Sequence, residues 1–245
     1  MVNEPHFTPA RMLSMLGLKP DSLGRFALIP GPKERSDMIR GLLENPQKNL
    51  SFLDYEMHTG AYDGKKVTVG NGGRYAPDTA ITTEILCAGG VETLMRIGSC
   101  GSLQEKVKIG DLVIATGALR GEGTTGYYVA KNFSTVSDPT VVRALEQAAK
   151  SLGVRYHLGS VYTTDALFQE TPELIQELEQ QGVVAIDMIT SAFLTVAQVR
   201  QKKAGAILAV SDECLHAKMG FRDPIFLAAE EKMVEVALKA LLFMD

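Results

Sequence analysis

Short apolar runs alternate along this chain with longer stretches whose apolar residues return every three or four positions. The first pattern predicts buried strands and the second amphipathic helices. Phe26 to Pro30 (FALIP) is the first such run, and GPKER after it leads into a helix through Ser36 to Leu43. A strand is predicted near Leu50 to Met57, a turn at Tyr62-Asp63-Gly64, and another strand from Lys65 to Val69. A glycine-rich segment then hands over to a helix from Thr79 to Leu86, with Pro77 near its first turn. The run ending at Ile97 reads as a buried strand that stops at Gly98, Ser99 and Gly101, and Asp111 to Leu119 as the next strand. Pro139 to Leu152 is amphipathic and closes at Gly153; Val154 to Tyr162 is a strand; Pro172 opens a charged helix that Gly182 ends. Val183 to Asp187 (VVAID), a helix from Met188 to Lys203, a last strand Ala206 to Val210 running into Ser211-Asp212-Glu213, and a final helix from Pro224 to Met244 complete the order. This alternation predicts an α/β fold, a single domain over 1–245 with a central mixed β-sheet flanked by helices on both faces.

Length and composition fit that reading. The 245 residues, 45% of them hydrophobic, suffice for one sizeable core. A net charge of −4 with both signs dispersed argues against nucleic acid or an anionic membrane as partner. No apolar run approaches the roughly 18 residues of a spanning helix, and Met1 to Pro9 lacks a signal-peptide core, so a cytoplasmic protein is expected. Cys87, Cys100 and Cys214 make no CxxC pair, and His6, His58, His157 and His216 are scattered, so neither a disulfide framework nor a metal site is predicted.

The chemistry-bearing positions cluster at predicted strand ends. Gly31, Lys33 and Arg35 sit at a strand-to-helix turn, where free N–H groups, the helix dipole and cationic side chains favour an anion, although a solvated first helical turn has the same pattern. Asn71, Gly72 and Gly73 make a second glycine-rich strand end, and Arg96 beside Ser99 offers a planar fork to an oxyanion at a third. Phe168 lies on a loop, as a core plug or as a stacking surface for a flat ligand. Asp212, behind four apolar residues at a strand's end, is placed to hold or donate a proton; a helix cap or surface turn is the alternative.

These segments resemble a known family. RIGSCGSLQEKVKIGDLVIATGALRGEGTT (96–125) looks like the central segment of the nucleoside phosphorylases that include uridine phosphorylase and the hexameric purine nucleoside phosphorylases. GPKER resembles the family's phosphate loop, GNGG its second glycine loop, TTDALFQET its base-side loop, IDM its ribose segment and VSDE its catalytic strand end, in the family's order along nearly the whole chain. The resemblance implies phosphate binding by Gly31, Arg35, Arg96 and Ser99, a base flanked by Phe168, a ribose against Met188, and Asp212 protonating N7 of a purine as the glycosidic bond breaks. It implies inorganic phosphate as co-substrate, no metal or organic cofactor, and a homo-oligomer, either a dimer or a trimer of dimers.

Two positions depart from the pattern. Ile189 stands where the family usually has a glutamate gripping the ribose hydroxyls, a charge-assisted bond worth about 1.5–3 kcal/mol. Asp187, two positions earlier, is the nearest carboxylate and the candidate to replace it. Restoring the carboxylate with Ile189→Glu is expected to tighten nucleoside binding. Leu53 occupies the place of an arginine that reaches a neighbouring subunit's phosphate site, and Arg74, inside the glycine loop, would replace it or block the pocket. Arg120 resembles an arginine of several members, as structural as it is substrate-binding. Alongside a phosphorylase acting on a purine nucleoside, two readings stay open: a nucleoside hydrolase of the same fold would tolerate the lost arginine but normally keeps the ribose glutamate, and a non-catalytic, regulatory member would explain both losses.

Overall fold

The computed structural model describes residues 5–19 and 22–245. Met1 to Glu4, part of the segment in which no signal-peptide core is expected, lie outside the described residues. β1 (Phe26–Pro30) is buried throughout and shows why the chain layers as it does: Phe26 and Leu28 face one apolar cluster, Ala27 and Ile29 another. β5 (Thr93–Ser102) repeats the alternation, with Met95 and Ile97 on the first side and Leu94 on the second. Successive strand residues point to opposite faces, so a strand covered on both sides must be apolar along its length. α2 (Lys33–Gly41), α4 (Pro139–Ser151) and α7 (Pro224–Ala240) supply the first cluster; α1 (Pro9–Met15), α3 (Ala76–Ala88) and α6 (Thr190–Val199) supply the second.

The sheet is mixed. β1 pairs in parallel with β4 (Lys65–Gly70), and β3 (Tyr55–Tyr62) and β2 (Glu44–Phe52) extend that side antiparallel. On the other side β5 pairs in parallel with β1 and with β9 (Lys203–Glu213), and β9 pairs antiparallel with β6 (Leu112–Gly121). β7 (Tyr156–Thr164) and β8 (Ala185–Asp187) continue in parallel from β6, and β8 returns antiparallel to the end of β5. Strands β5, β9, β6, β7 and β8 thus close a ring, with the two-residue β10 (Lys218–Met219) on the edge of β9. α5 (Pro172–Gln180) follows the loop that carries Phe168. The expected α/β architecture is the one observed.

Three local readings differ. Leu50 to Met57 is two strands, since the chain reverses at Leu53 (φ 51°) between β2 and β3 with no glycine or proline to announce the turn. The glycines after Ile97 do not end their strand: β5 runs on to Ser102, pairing Gly101 with Asp212 of an equally extended β9. Helix α1, which the apolar pattern does not announce, is held by Thr8 Oγ1 accepting from the Arg11 backbone N–H at 3.2 Å.

Candidate active site at the strand ends

The parallel strands β1, β4, β5 and β9 bring their carboxyl ends together, which is where open α/β sheets bind ligands. Gly31, after β1, and Gly73, after β4, pack so closely that a Cβ on Gly31 would lie 2.9 Å from the Gly73 carbonyl. Arg96 on β5 ties the same loop down, its Nη1 donating to that carbonyl at 3.2 Å. From α2, the guanidinium of Arg35 reaches back to β5, donating from Nη1 to the Ile97 carbonyl at 3.1 Å. Ser99 is half-buried on β5 beside Ala209. Gly31, Arg35, Arg96 and Ser99 therefore belong to one end of the sheet.

Both arginines are buried, and both carry their own carboxylate. Arg96 is 1% exposed and donates from Nη2 and Nε to Asp187 Oδ2 at 3.1 and 3.3 Å. Desolvation pushes its pKa down and the Asp187 charge pushes it back up; Arg35 is near enough to lower it further. Arg35 pairs through Nη2 with Glu230 of α7, and its Nε is buried with no partner among the described residues. Asp187, at the end of β8, also accepts from the hydroxyls of Thr163 (2.8 Å) and Thr190 (2.6 Å) and from the backbone N–H groups of Ile189 (3.2 Å) and Thr190 (3.1 Å). It is the anchor of Arg96 and of the start of α6, and its side chain is 1% exposed.

Asp212 lies in β9 opposite Gly101 and Met219, so it is neither a helix cap nor a surface-turn residue. Its carboxylate accepts from Ser211 Oγ at 2.5 Å and from the Cys214 thiol at 3.5 Å. Gly101 makes this corner possible, because a Cβ there would come within 2.4 Å of Cys214 Sγ and 2.5 Å of Asp212 Oδ2. Burial, then the Asp212 and Glu170 charges, raises the Cys214 thiol well above its usual range, so the thiol stays protonated and can donate. Glu170, close enough for its charge to act on Cys214, is a residue no sequence pattern singled out although it sits in TTDALFQET. Burial, then the charges of Asp212 and Asp187, pushes Glu170 up to about 7, and its carboxyl has no hydrogen-bond partner among the described residues.

A profile of the phosphorylase superfamily matches residues 25–242, nearly all of these elements. The chain belongs to the phosphorylase superfamily. It is 36% identical to uridine phosphorylase of Thermococcus kodakarensis over 80% of this chain and 75% of that one. It is 33% identical to guanosine phosphorylase of Halorubrum lacusprofundi over 75% of this chain and 76% of that one. A crystal structure of uridine phosphorylase from Vibrio fischeri superposes with a TM-score of 0.87 at 23% identity, covering 96% of this chain and all of that one, which shows a shared fold.

Within this phosphorylase superfamily fold the remaining candidates fall out as follows. Phe168 is 95% exposed on a single 3₁₀ turn, which corrects the core-plug reading: it is not packed into the core formed by the described residues. Met188 is half-buried against the α3–α6 cluster, and Ile189 beside it is buried in that cluster. Arg74 does not enter the pocket; its backbone N–H and its Nε turn to Asp78 in the first turn of α3, at 3.2 and 3.8 Å. Arg120 donates to the carbonyls of Ala130 and Lys131 at 2.6 Å and so fixes the loop after β6. Leu53 is 81% exposed at the hairpin tip.

Proposed function

We propose that this chain cleaves the N-glycosidic bond of a purine nucleoside with inorganic phosphate, giving free base and ribose 1-phosphate. The observation that carries the reading is that Asp212, paired with Gly101 in the last residues of β5 and β9, and the arginines Arg35 and Arg96, which reach Ile97 and Gly73, lie toward the same carboxyl end of the sheet. Phosphate sits by Gly31, Arg35, Arg96 and Ser99, held by loop N–H groups and guanidinium forks. The base lies on the Phe168 side and the ribose against Met188. As the bond breaks, positive charge grows on the sugar and negative charge on the base; Asp212, once it has taken up a proton, passes it to the leaving base and returns to the carboxylate that accepts from Ser211 and Cys214. Asp212 favours a purine; of the relatives, the guanosine phosphorylase agrees with this and the uridine phosphorylase does not. Asp187, already saturated by Arg96, Thr163 and Thr190, serves the site by holding Arg96 rather than by gripping ribose.

The exposed apolar hairpin tip supports an assembly of identical copies: Phe52 and Leu53 border a cavity of about 230 Å³ lined by Met12, Leu16 and Ile81, open enough to receive apolar side chains. A second reading, hydrolysis by water in the same site, is favoured by one observation, that both guanidiniums are already paired with carboxylates. The test of the first reading is Asp212→Asn. It is expected to lower purine nucleoside cleavage 10²- to 10⁴-fold, the usual contribution of a positioned acid, with the melting temperature unchanged; unchanged turnover would contradict the role.

A further inference from the structure

We propose that Glu230 is an internal carboxylate that sets how tightly the strand-end pocket holds its anion, by offsetting the charge of Arg35. The proposal rests on the phosphate pocket described above. Arg35 has 6% of its side chain exposed and Glu230 18%, so the pair is little screened by water. The guanidinium is fixed on one side by the Ile97 carbonyl and on another by Glu230, while its Nε points at no acceptor among the described residues. The same guanidinium is therefore steered and discharged together. Its neighbour Arg96 is matched by Asp187 in the same way, so the two cations and two carboxylates sum to no net charge. A dianion entering there gains directed N–H donors but little net Coulomb attraction, and it meets the repulsion of Glu230. Asp187 cannot be the adjustable partner, because it also holds Thr163, Thr190 and the start of α6. Glu230 makes no hydrogen bond beyond Arg35 among the described residues and lies on a helix formed independently of it. Glu230→Gln keeps the size and the acceptor oxygen, so it removes charge without releasing the guanidinium.

The experiment is calorimetric titration of inorganic phosphate into the full chain, into Glu230→Gln, and into Glu235→Gln, a control on the same helix whose carboxylate pairs with the exposed Lys232. Glu230→Gln is expected to bind phosphate about tenfold more tightly, the scale of one charge acting across a partly screened pocket; the control is expected to match the parent. Phosphate binding by Glu230→Gln where the parent binds none also supports the role of Glu230 while removing phosphate from the parent's reaction. Equal or weaker affinity in a variant of native melting temperature overturns the proposal and leaves Glu230 as a clamp between α2 and α7. Binding by none of the three overturns both this proposal and the phosphorylase reading. If Glu230→Gln does not fold, Glu230→Asn, which also removes the charge and keeps an acceptor oxygen on a shorter side chain, replaces it, with tighter binding expected and unchanged or weaker binding in a folded variant contradicting.

Discussion

Asp187 satisfies more groups than any other carboxylate at the sheet's end, and its removal defines the cost of the arrangement. Asp187→Asn leaves Arg96, 1% exposed, without a counter-charge, and breaking a buried pair on one side typically costs about 3–5 kcal/mol; a fall of that size in the unfolding free energy extrapolated from urea denaturation checks it. The burial of Ile189 changes what is expected of its glutamate variant. Its side chain lies in the apolar cluster with Phe193 and Leu194, so Ile189→Glu buries a carboxylate and lowers stability instead of tightening nucleoside binding. The pattern could show that the ribose glutamate was missing, but not that the side chain in its place is buried in the apolar cluster. Glu170 gives a pH-dependent signature. Its folded pKa, about 7, lies above the unfolded value, so the folded state holds its proton more firmly; its contribution is favourable below about pH 4.5 and is lost as pH rises toward 7. Glu170→Gln is therefore expected to match the parent's unfolding free energy at pH 4 and exceed it at pH 8, by about 1 kcal/mol at most once solvent screening of a half-exposed group is allowed for. A gap that shrinks with rising pH would contradict this.

At the scale of elements, the strand ends were legible and their extent was not. β1, β4 and α4 follow from apolar runs and from glycine, proline and aspartate boundaries that act locally, such as Asp138 accepting from the Thr140 N–H at 2.8 Å to start α4. Gly98 to Gly101 reads as a loop by the same local rules, yet it stays in β5 because β9 and β8 pair with it from distant parts of the chain. Its glycines serve close approach rather than a turn. Gly101→Ala would drive a methyl into Cys214 and Asp212, so it is expected to cost about 1–3 kcal/mol and to depress turnover, with most of the fold retained by circular dichroism. Arg96 was found from its place before the glycines, but its carboxylate partner sits 91 residues away and could be known only from the ring of strands.

Across the whole molecule, the two helical layers and the mixed sheet follow from the order of elements, and the superfamily match over residues 25–242 agrees with them. No helix among the described residues is long and apolar enough to cross a membrane. The apolar hairpin tip predicts self-association: the protein is expected to sediment as a homo-oligomer, and Leu53→Asp, at a position 81% exposed, to shift it toward monomer without lowering the monomer's stability. Sedimentation of the parent as a monomer would contradict that. The central claim, that one end of this sheet joins phosphate to the sugar of a nucleoside, is tested most directly by following products. Purine and pyrimidine nucleosides are incubated with the protein, with and without inorganic phosphate, and base and sugar are separated by chromatography. The account predicts purine release only with phosphate, with one ribose 1-phosphate per base. Release at the same rate without phosphate, or from no nucleoside at all, would contradict it.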